Sequence, residues 1–228
     1  MPQFKLKDGR ELEIADNGIN SESAIVFHHG TPGHASSWTD WLESAATAGI
    51  RAIAYSRAGY GTSDRNPGRS VINVNSDIAQ VLDAKNITKF VSIGWSGGGP
   101  HCLANTFEPR NVGAISLAGV GAYGVDDLDF LDGMGPENHD EFGAALKGEA
   151  VIDQWLHAIA TDSQFYCNPE ISKPEQLKEH VISLLQQNGL YTTRNAFFND
   201  VFGALKLKPD FDAKFRFIDL FAGIGGVR

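Results

Sequence analysis

Residues 93–100 read IGWSGGGP and set Ser96 between Gly94-Trp95 and Gly97-Gly98, directly behind the apolar run at 90–93. A buried strand that ends in a glycine-flanked serine and continues as a helix needs a sharp turn at the serine. Such a turn exposes the hydroxyl and aims it toward the start of the following helix. The glycines let two stretches of backbone pass closely and adopt angles that a side chain forbids. This pattern makes Ser96 a candidate nucleophile, and it demands a central strand covered on both faces.

The surrounding pattern agrees with that demand. QFKLKDGRELEIA reads as a hairpin turning at Asp8-Gly9. Strands are expected at 24–27, 51–55, 90–93 and 112–118, with helices at 40–48, 77–85 and 98–107 between them. Strand, helix, strand at these intervals predicts parallel pairing with right-handed crossovers. Function in such sheets gathers at the carboxyl ends of the strands. Three glycine-rich or polar loops, at 28–34, 56–64 and 94–99, converge there. Within the middle loop, Arg57 and Asp64 are expected to pair or cap locally. From about Tyr123 to Lys206 only helical patterns remain. One helix opens on the capping box Ser172-Lys173-Pro174-Glu175 and carries Leu177, Val181, Leu184 and Leu185 on its apolar face. A second apolar face is formed by Phe197, Phe198, Val201, Phe202 and Leu205. A helical block placed after the strands reads as a lid over the rim.

Composition removes several classes of function. The net charge of −9, with no basic run longer than two residues, argues against nucleic acid, whose phosphates need clustered Lys and Arg. Two cysteines, Cys102 and Cys167, fit a reducing compartment and are too few for a zinc site. No secretory signal and no membrane-spanning apolar run is present in the sequence, so the expectation is a cytoplasmic protein without a membrane partner.

A serine becomes a nucleophile only when a base takes its proton, and the oxyanion it generates needs hydrogen-bond donors. The Gly97 N–H, just after the serine, is one donor. The other is expected from the turn His29-Gly30-Thr31-Pro32-Gly33, with Thr31 favoured. With HHGTPG, SRAGYGTSD and GWSGGGPH in this order and spacing, residues 1–206 resemble the capped α/β-hydrolases near proline iminopeptidases and small esterases. The resemblance implies ester or amide hydrolysis through an acyl-enzyme, with the helical block as cap. Proline iminopeptidases usually carry tryptophan after the serine, where this chain has Gly97. A serine at 96 also argues against haloalkane dehalogenases and epoxide hydrolases, which use aspartate there.

The family's order is serine, acid, then histidine. After Ser96 the histidines are His101, on the following helix, and His139, His157 and His180, in the helical block. None stands where the family puts its base. Asp126 and Asp127, just past the sixth strand, are the candidates for a less common acid position. At 214–228 the chain reads KFRFIDLFAGIGGVR, which resembles the first motif of DNA cytosine-5 methyltransferases, although no Pro-Cys pair accompanies it. Residues 215–221 are also of strand length and apolarity, and read as a substitute edge strand. His29 is read as a histidine pinning its loop, His101 as a packed helix residue, Trp38, Trp95 and Trp155 as core or pocket wall, and Cys102 as a small buried hydrophobe.

The expectation is therefore an α/β fold with a mostly parallel sheet of the hydrolase type and a helical cap, lacking the usual last strand–helix units. The core is placed at 1–122, the cap at 123–206 and the join and tail at 207–228. Its chemistry is that of a serine hydrolase of small esters or amides, impaired by the missing base and acid. No metal or organic cofactor is needed, and oligomeric state is left open. A non-catalytic remnant is the alternative reading, and a methyltransferase fragment the third.

Overall fold

The hairpin that opens the chain is β1, Gln3–Lys5, and β2, Glu11–Asp16, paired antiparallel around a turn in which Gly9 takes φ +93°. This is a computed structural model that describes residues 1–126, 128–161 and 217–220. The next strands are β3, Ser23–His28; β4, Arg51–Tyr55; β5, Lys89–Trp95; β6, Asn111–Leu117; and β7, Phe217–Leu220. They form one sheet of order β1-β2-β4-β3-β5-β6-β7. β1–β2 and β2–β4 are antiparallel, and every other neighbouring pair is parallel.

The parallel centre follows from composition. AIVF in β3 and AIA in β4 are buried throughout, because helices cover both faces of a parallel strand and leave no side for water. On one face lies α2, Val74–Ala84, whose Val74, Ile78, Val81 and Leu82 recur at helical spacing and pack with Val26, Ile53, Tyr55 and Phe90. Asn86, left-handed at φ 54°, closes this helix through the Ile87 N–H bond to the Leu82 carbonyl. Elsewhere in the core, Phe27 stacks on Trp38 at 4.5 Å and meets Trp41 of α1, Thr39–Thr47, edge-on. Phe27 is fully buried, worth about 2–3 kcal/mol.

The expected elements are present with shifted ends. α2 starts three residues earlier than read, because Val74 is itself a core residue and a capped turn at Val71–Asn73 leads into it. The helix read at 98–107 divides into a 3-10 turn at Ser96–Gly98, α3 at Gly99–Ala104 and a second 3-10 turn at Asn105–Phe107. Residues 217–220 run parallel to β6 in the register Ser116↔Asp219, as an edge strand.

The chain divides into two compact units, Met1–Gly133 with Phe211–Arg228, and Met134–Asp210. The described part of the second contains α4, Pro136–Leu146, and α5, Glu149–Thr161, packed on each other. The helices read around 172–189 and 197–205 lie outside the described residues, as do Asp127, His180 and Cys167. Among the described residues no helix is long and apolar enough to cross a membrane.

Candidate active site

The chain leaves β3 for β4 on one side and returns through α2 to β5 on the other, so β3 and β5 flank the topological switch point of the sheet. Ligands of open α/β sheets bind in the crevice beyond the strand ends at that point. The serine turn follows β5, and the His29–Gly33 turn follows β3. The sheet therefore brings together the two segments that the sequence singled out.

Ser96 sits in the left-handed region at φ 51°. For a residue with a Cβ this conformation costs about 1–2 kcal/mol, and here it is imposed by the turn from strand to helix. A Cβ on Gly98 would overlap the His28 carbonyl oxygen and stand 2.7 Å from the His29 carbonyl oxygen. A Cβ on Gly97 would stand 2.6 Å from Thr31 Oγ1 and 3.3 Å from Thr31 N. The two turns are in contact because these positions carry no side chain. Gly30 lies against the Trp95 ring and near Ser96 Cβ, and Trp95 is half-exposed beside the serine and not in the core. Trp38, by contrast, is core, and Trp155 is half-buried on α5.

Both expected oxyanion donors are braced through the carbonyl of their own peptide unit. The Ser96 carbonyl accepts from the N–H of Gly99 and, at 3.4 Å, from that of Val120. The Gly30 carbonyl accepts from His29 Nδ1 at 2.7 Å and from Arg57 Nη2 at 3.0 Å. In a planar trans peptide the N–H points opposite to the C=O. The N–H groups of Gly97 and Thr31 consequently face away from these braces.

Three histidines near the two turns, His28, His29 and His101, are neutral and committed elsewhere. His29 accepts the Arg57 N–H at Nε2, 3.0 Å, which leaves Nδ1 as the donor to Gly30. Burial, with the nearby Arg57 charge, pushes its pKa down to about 3. His28 Nδ1 meets the Tyr55 hydroxyl at 2.9 Å, and complete burial drives its pKa well below the ordinary range. His101 turns Nδ1 to the Gly97 carbonyl at 2.9 Å, and burial lowers it to about 4. His29 and His101 thus have the structural environments read for them. Among the described residues, no side chain is hydrogen-bonded to the Ser96 hydroxyl. Asp126 is exposed, and Cys102 is buried with its thiol near the Gly99 and Ile115 carbonyls.

One expectation is corrected. Arg57 does not pair with Asp64. It turns inward, 2% exposed, and donates to the His29 carbonyl, the Gly30 carbonyl and Thr31 Oγ1. Tyr60 covers the guanidinium, with its ring centre 4.9 Å away. Asp64 instead accepts the Glu11 N–H at 2.7 Å and so extends the edge of β2. β3 and β4 are neighbours, so the loops after them abut, and the buried carbonyls of one need donors from the other.

A second residue escaped the sequence reading. Glu13, in the strand ELEIAD, is buried and accepts from Ser56 Oγ at 2.6 Å and from the Thr62 N–H at 3.2 Å. Burial pushes its carboxyl up, but the Ser56 and Thr62 hydrogen bonds outweigh this and leave the pKa below the usual value. Ser56 Oγ also receives the Ala35 N–H, so Glu13 holds the Arg57 loop in place from below. Nothing in the strand's alternation signals this, because the partners come from 43 or more residues away.

Residues 23–129 match the family described as alpha/beta hydrolase fold. A non-heme chloroperoxidase from Streptomyces lividans is 32% identical over 143 residues, 61% of this chain and 52% of that protein. An epoxide hydrolase from Caballeronia sordidicola is 32% identical over 102 residues, 40% of this chain and 31% of its own length. The chain thus spans about half, or less, of the length of these curated relatives. Among solved structures, an esterase from Exiguobacterium antarcticum superposes with a TM-score of 0.52 at 20% identity, over 70% of this chain and 67% of that one. Sheet order, serine turn and these matches agree: the chain has the α/β-hydrolase fold.

Proposed function

We propose that this chain is a serine hydrolase of small esters or amides, with Ser96 as nucleophile and the N–H groups of Thr31 and Gly97 as oxyanion donors. The observation that carries the reading is the strained Ser96 at the end of β5, pressed against the turn that presents Thr31. Strained backbone outside glycine persists where the surroundings enforce it, and it clusters at reactive sites. The relatives named chloroperoxidase and epoxide hydrolase match parts of this chain at 32% identity. Serine rather than aspartate at position 96 favours the acyl-enzyme chemistry of the esterase-like members. The helical unit is assigned the role of cap, and Trp95 that of a wall for the acyl or leaving group.

The chain is further proposed to be slow. His28, His29 and His101 are held neutral by partners other than the serine, so none of them serves as base. Oxyanion donors and binding alone sustain roughly 10³–10⁴ over water. A non-catalytic scaffold of the same fold is the rival. The methyltransferase-like reading of the tail ranks last, because residues 217–220 sit in the sheet beside β6. Labelling by a fluorophosphonate probe tests the proposal. Slow labelling that disappears in Ser96→Ala supports it, and fast labelling overturns the view that no base acts on Ser96. No labelling of the folded chain overturns the nucleophile reading.

A further inference from the structure

Arg57 is the most unusual charge in the core. It is buried, and among the described residues no carboxylate pairs with it. Desolvating an unpaired cation is costly. Bracing two carbonyls would require only a neutral donor such as an amide side chain. What the guanidinium adds is a rigid fork and a full charge, and the fork spans two successive peptide units, His29–Gly30 and Gly30–Thr31. Nη1 holds the His29 carbonyl, while Nη2 reaches the Gly30 carbonyl and Thr31 Oγ1, each at 3.0 Å. The Arg57 backbone N–H fixes the tautomer of His29, whose Nδ1 supplies the second bond to the same Gly30 oxygen. The Gly30 carbonyl and the Thr31 N–H belong to one planar peptide, so fixing the first fixes the second. Two donors on the carbonyl, one of them charged, also polarise the N–H and make it a stronger donor.

We propose that Arg57 is the positioning residue of the oxyanion turn: by clasping the Gly30 carbonyl it aims the Thr31 N–H at the Ser96 site and strengthens it as a donor. The inference rests on the reading of Ser96 and Thr31 given above. It predicts that Arg57 governs the rate of bond formation at Ser96, with little influence on how tightly a probe is held beforehand.

The test uses the full chain with Arg57→Gln and Arg57→Lys, read in two ways. With a fluorophosphonate probe, the limiting rate of Ser96 phosphonylation is expected to fall about 10²-fold in Arg57→Gln, the scale of losing one oxyanion donor. The half-saturating probe concentration should stay within about twofold, and Arg57→Lys should recover part of the rate by keeping the charge. In parallel, the amide resonance of Thr31 in ¹H–¹⁵N spectra should move and exchange faster in Arg57→Gln, while those of α2 stay in place. A Thr31 resonance that does not move, or a limiting rate within about twofold of the parent, overturns the proposal. So does a loss confined to probe affinity. A parent chain that fails to label while the Thr31 resonance still responds to Arg57 refutes the nucleophile but retains the clasp. Where Arg57→Gln does not fold, Arg57→Lys decides, together with the parent chain itself. In the parent, slowly exchanging Arg57 Nη protons coupled to the Gly30 carbonyl are expected, and their absence contradicts the clasp.

Discussion

Replacing Gly98 by alanine places a methyl group where the structure has only backbone. The added carbon would overlap the His28 carbonyl oxygen and lie 2.7 Å from both the His28 carbonyl carbon and the His29 oxygen. Ordinary contact begins at 3.4 Å, so the His29 carbonyl has to retreat by about 0.7 Å, and His28 by more. His28 cannot yield freely. It is the last residue of β3, paired with Tyr55 on one side and Gly94 on the other. The strain should therefore lift the 29–31 turn off the serine. Overpacking of this kind costs about 1–3 kcal/mol, and the rigid backbone puts Gly98→Ala near the top of that range. A donor displaced by close to 1 Å can lower the rate about 10²-fold. Gly97→Ala is the comparison: its methyl meets Thr31 Oγ1 at 2.6 Å and Cβ at 3.0 Å, and the backbone only at Thr31 N, 3.3 Å, so the side chain takes most of the overlap and about 1 kcal/mol is expected. Urea unfolding followed by tryptophan fluorescence gives the stabilities, and the fluorophosphonate labelling rate gives the site geometry. A Gly98→Ala loss below about 0.5 kcal/mol, or one smaller than that of Gly97→Ala, would refute the claim that backbone contact fixes the two turns.

Three further outcomes follow from the same geometry. Ser96→Gly should be more stable than Ser96→Ala by about 1 kcal/mol, since only glycine occupies φ 51° without strain; equal midpoints in urea would contradict the strain. His29 and His101 have folded pKa values of about 3 and about 4, below the roughly 6.5 of an unfolded histidine, so the unfolded state takes up their protons first. Their stabilisation is complete above pH 6.5 and is lost as pH falls toward 4 and 3, with about 2 kcal/mol per histidine gone at pH 5; an unchanged urea midpoint between pH 7 and pH 5 would disprove this. Asp77 receives both terminal Arg10 guanidinium nitrogens, at 2.7 and 3.2 Å, and ties α2 to the hairpin. Asp77→Ala should cost about 2–3 kcal/mol, less than a fully buried pair because Arg10 retains Asp8; a loss under about 1 kcal/mol would sink that account.

The strands were legible because burial on both faces leaves an unbroken apolar run, and the serine turn because glycines must stand where backbones cross. Periodicity also located α2 by its Val81 and Leu82 face. Helix ends were less legible: Val74 extends α2 for the sake of a core contact that no local pattern encodes. Arg57 was misread for a related reason. In sequence its nearest opposite charge is Asp64, and the acceptors it serves lie 26–28 residues away. Only the adjacency of β3 and β4 brings them together. Glu13 is similar, a carboxylate that looks solvent-facing until the loop after β4 folds over it. Local chemistry thus reveals where a turn must be, while the donors that brace it depend on sheet order.

The central claim is the proposal that Ser96 is mounted for acyl transfer and that, among the described residues, no side chain stands as its base. Intact-mass analysis after incubation with p-nitrophenyl acetate tests this most directly, followed by peptide mapping of the acetylated site. Without a base both steps are slow. Acylation expels the good leaving group p-nitrophenolate with the serine proton lost to solvent, whereas deacylation must activate water and expel the serine oxygen and is slower still. The account predicts a single acetyl group accumulating on Ser96, stable over the assay and absent from Ser96→Ala. Rapid turnover without accumulation would show that a base is present, and acetyl groups found only on lysines would show that Ser96 is not the nucleophile.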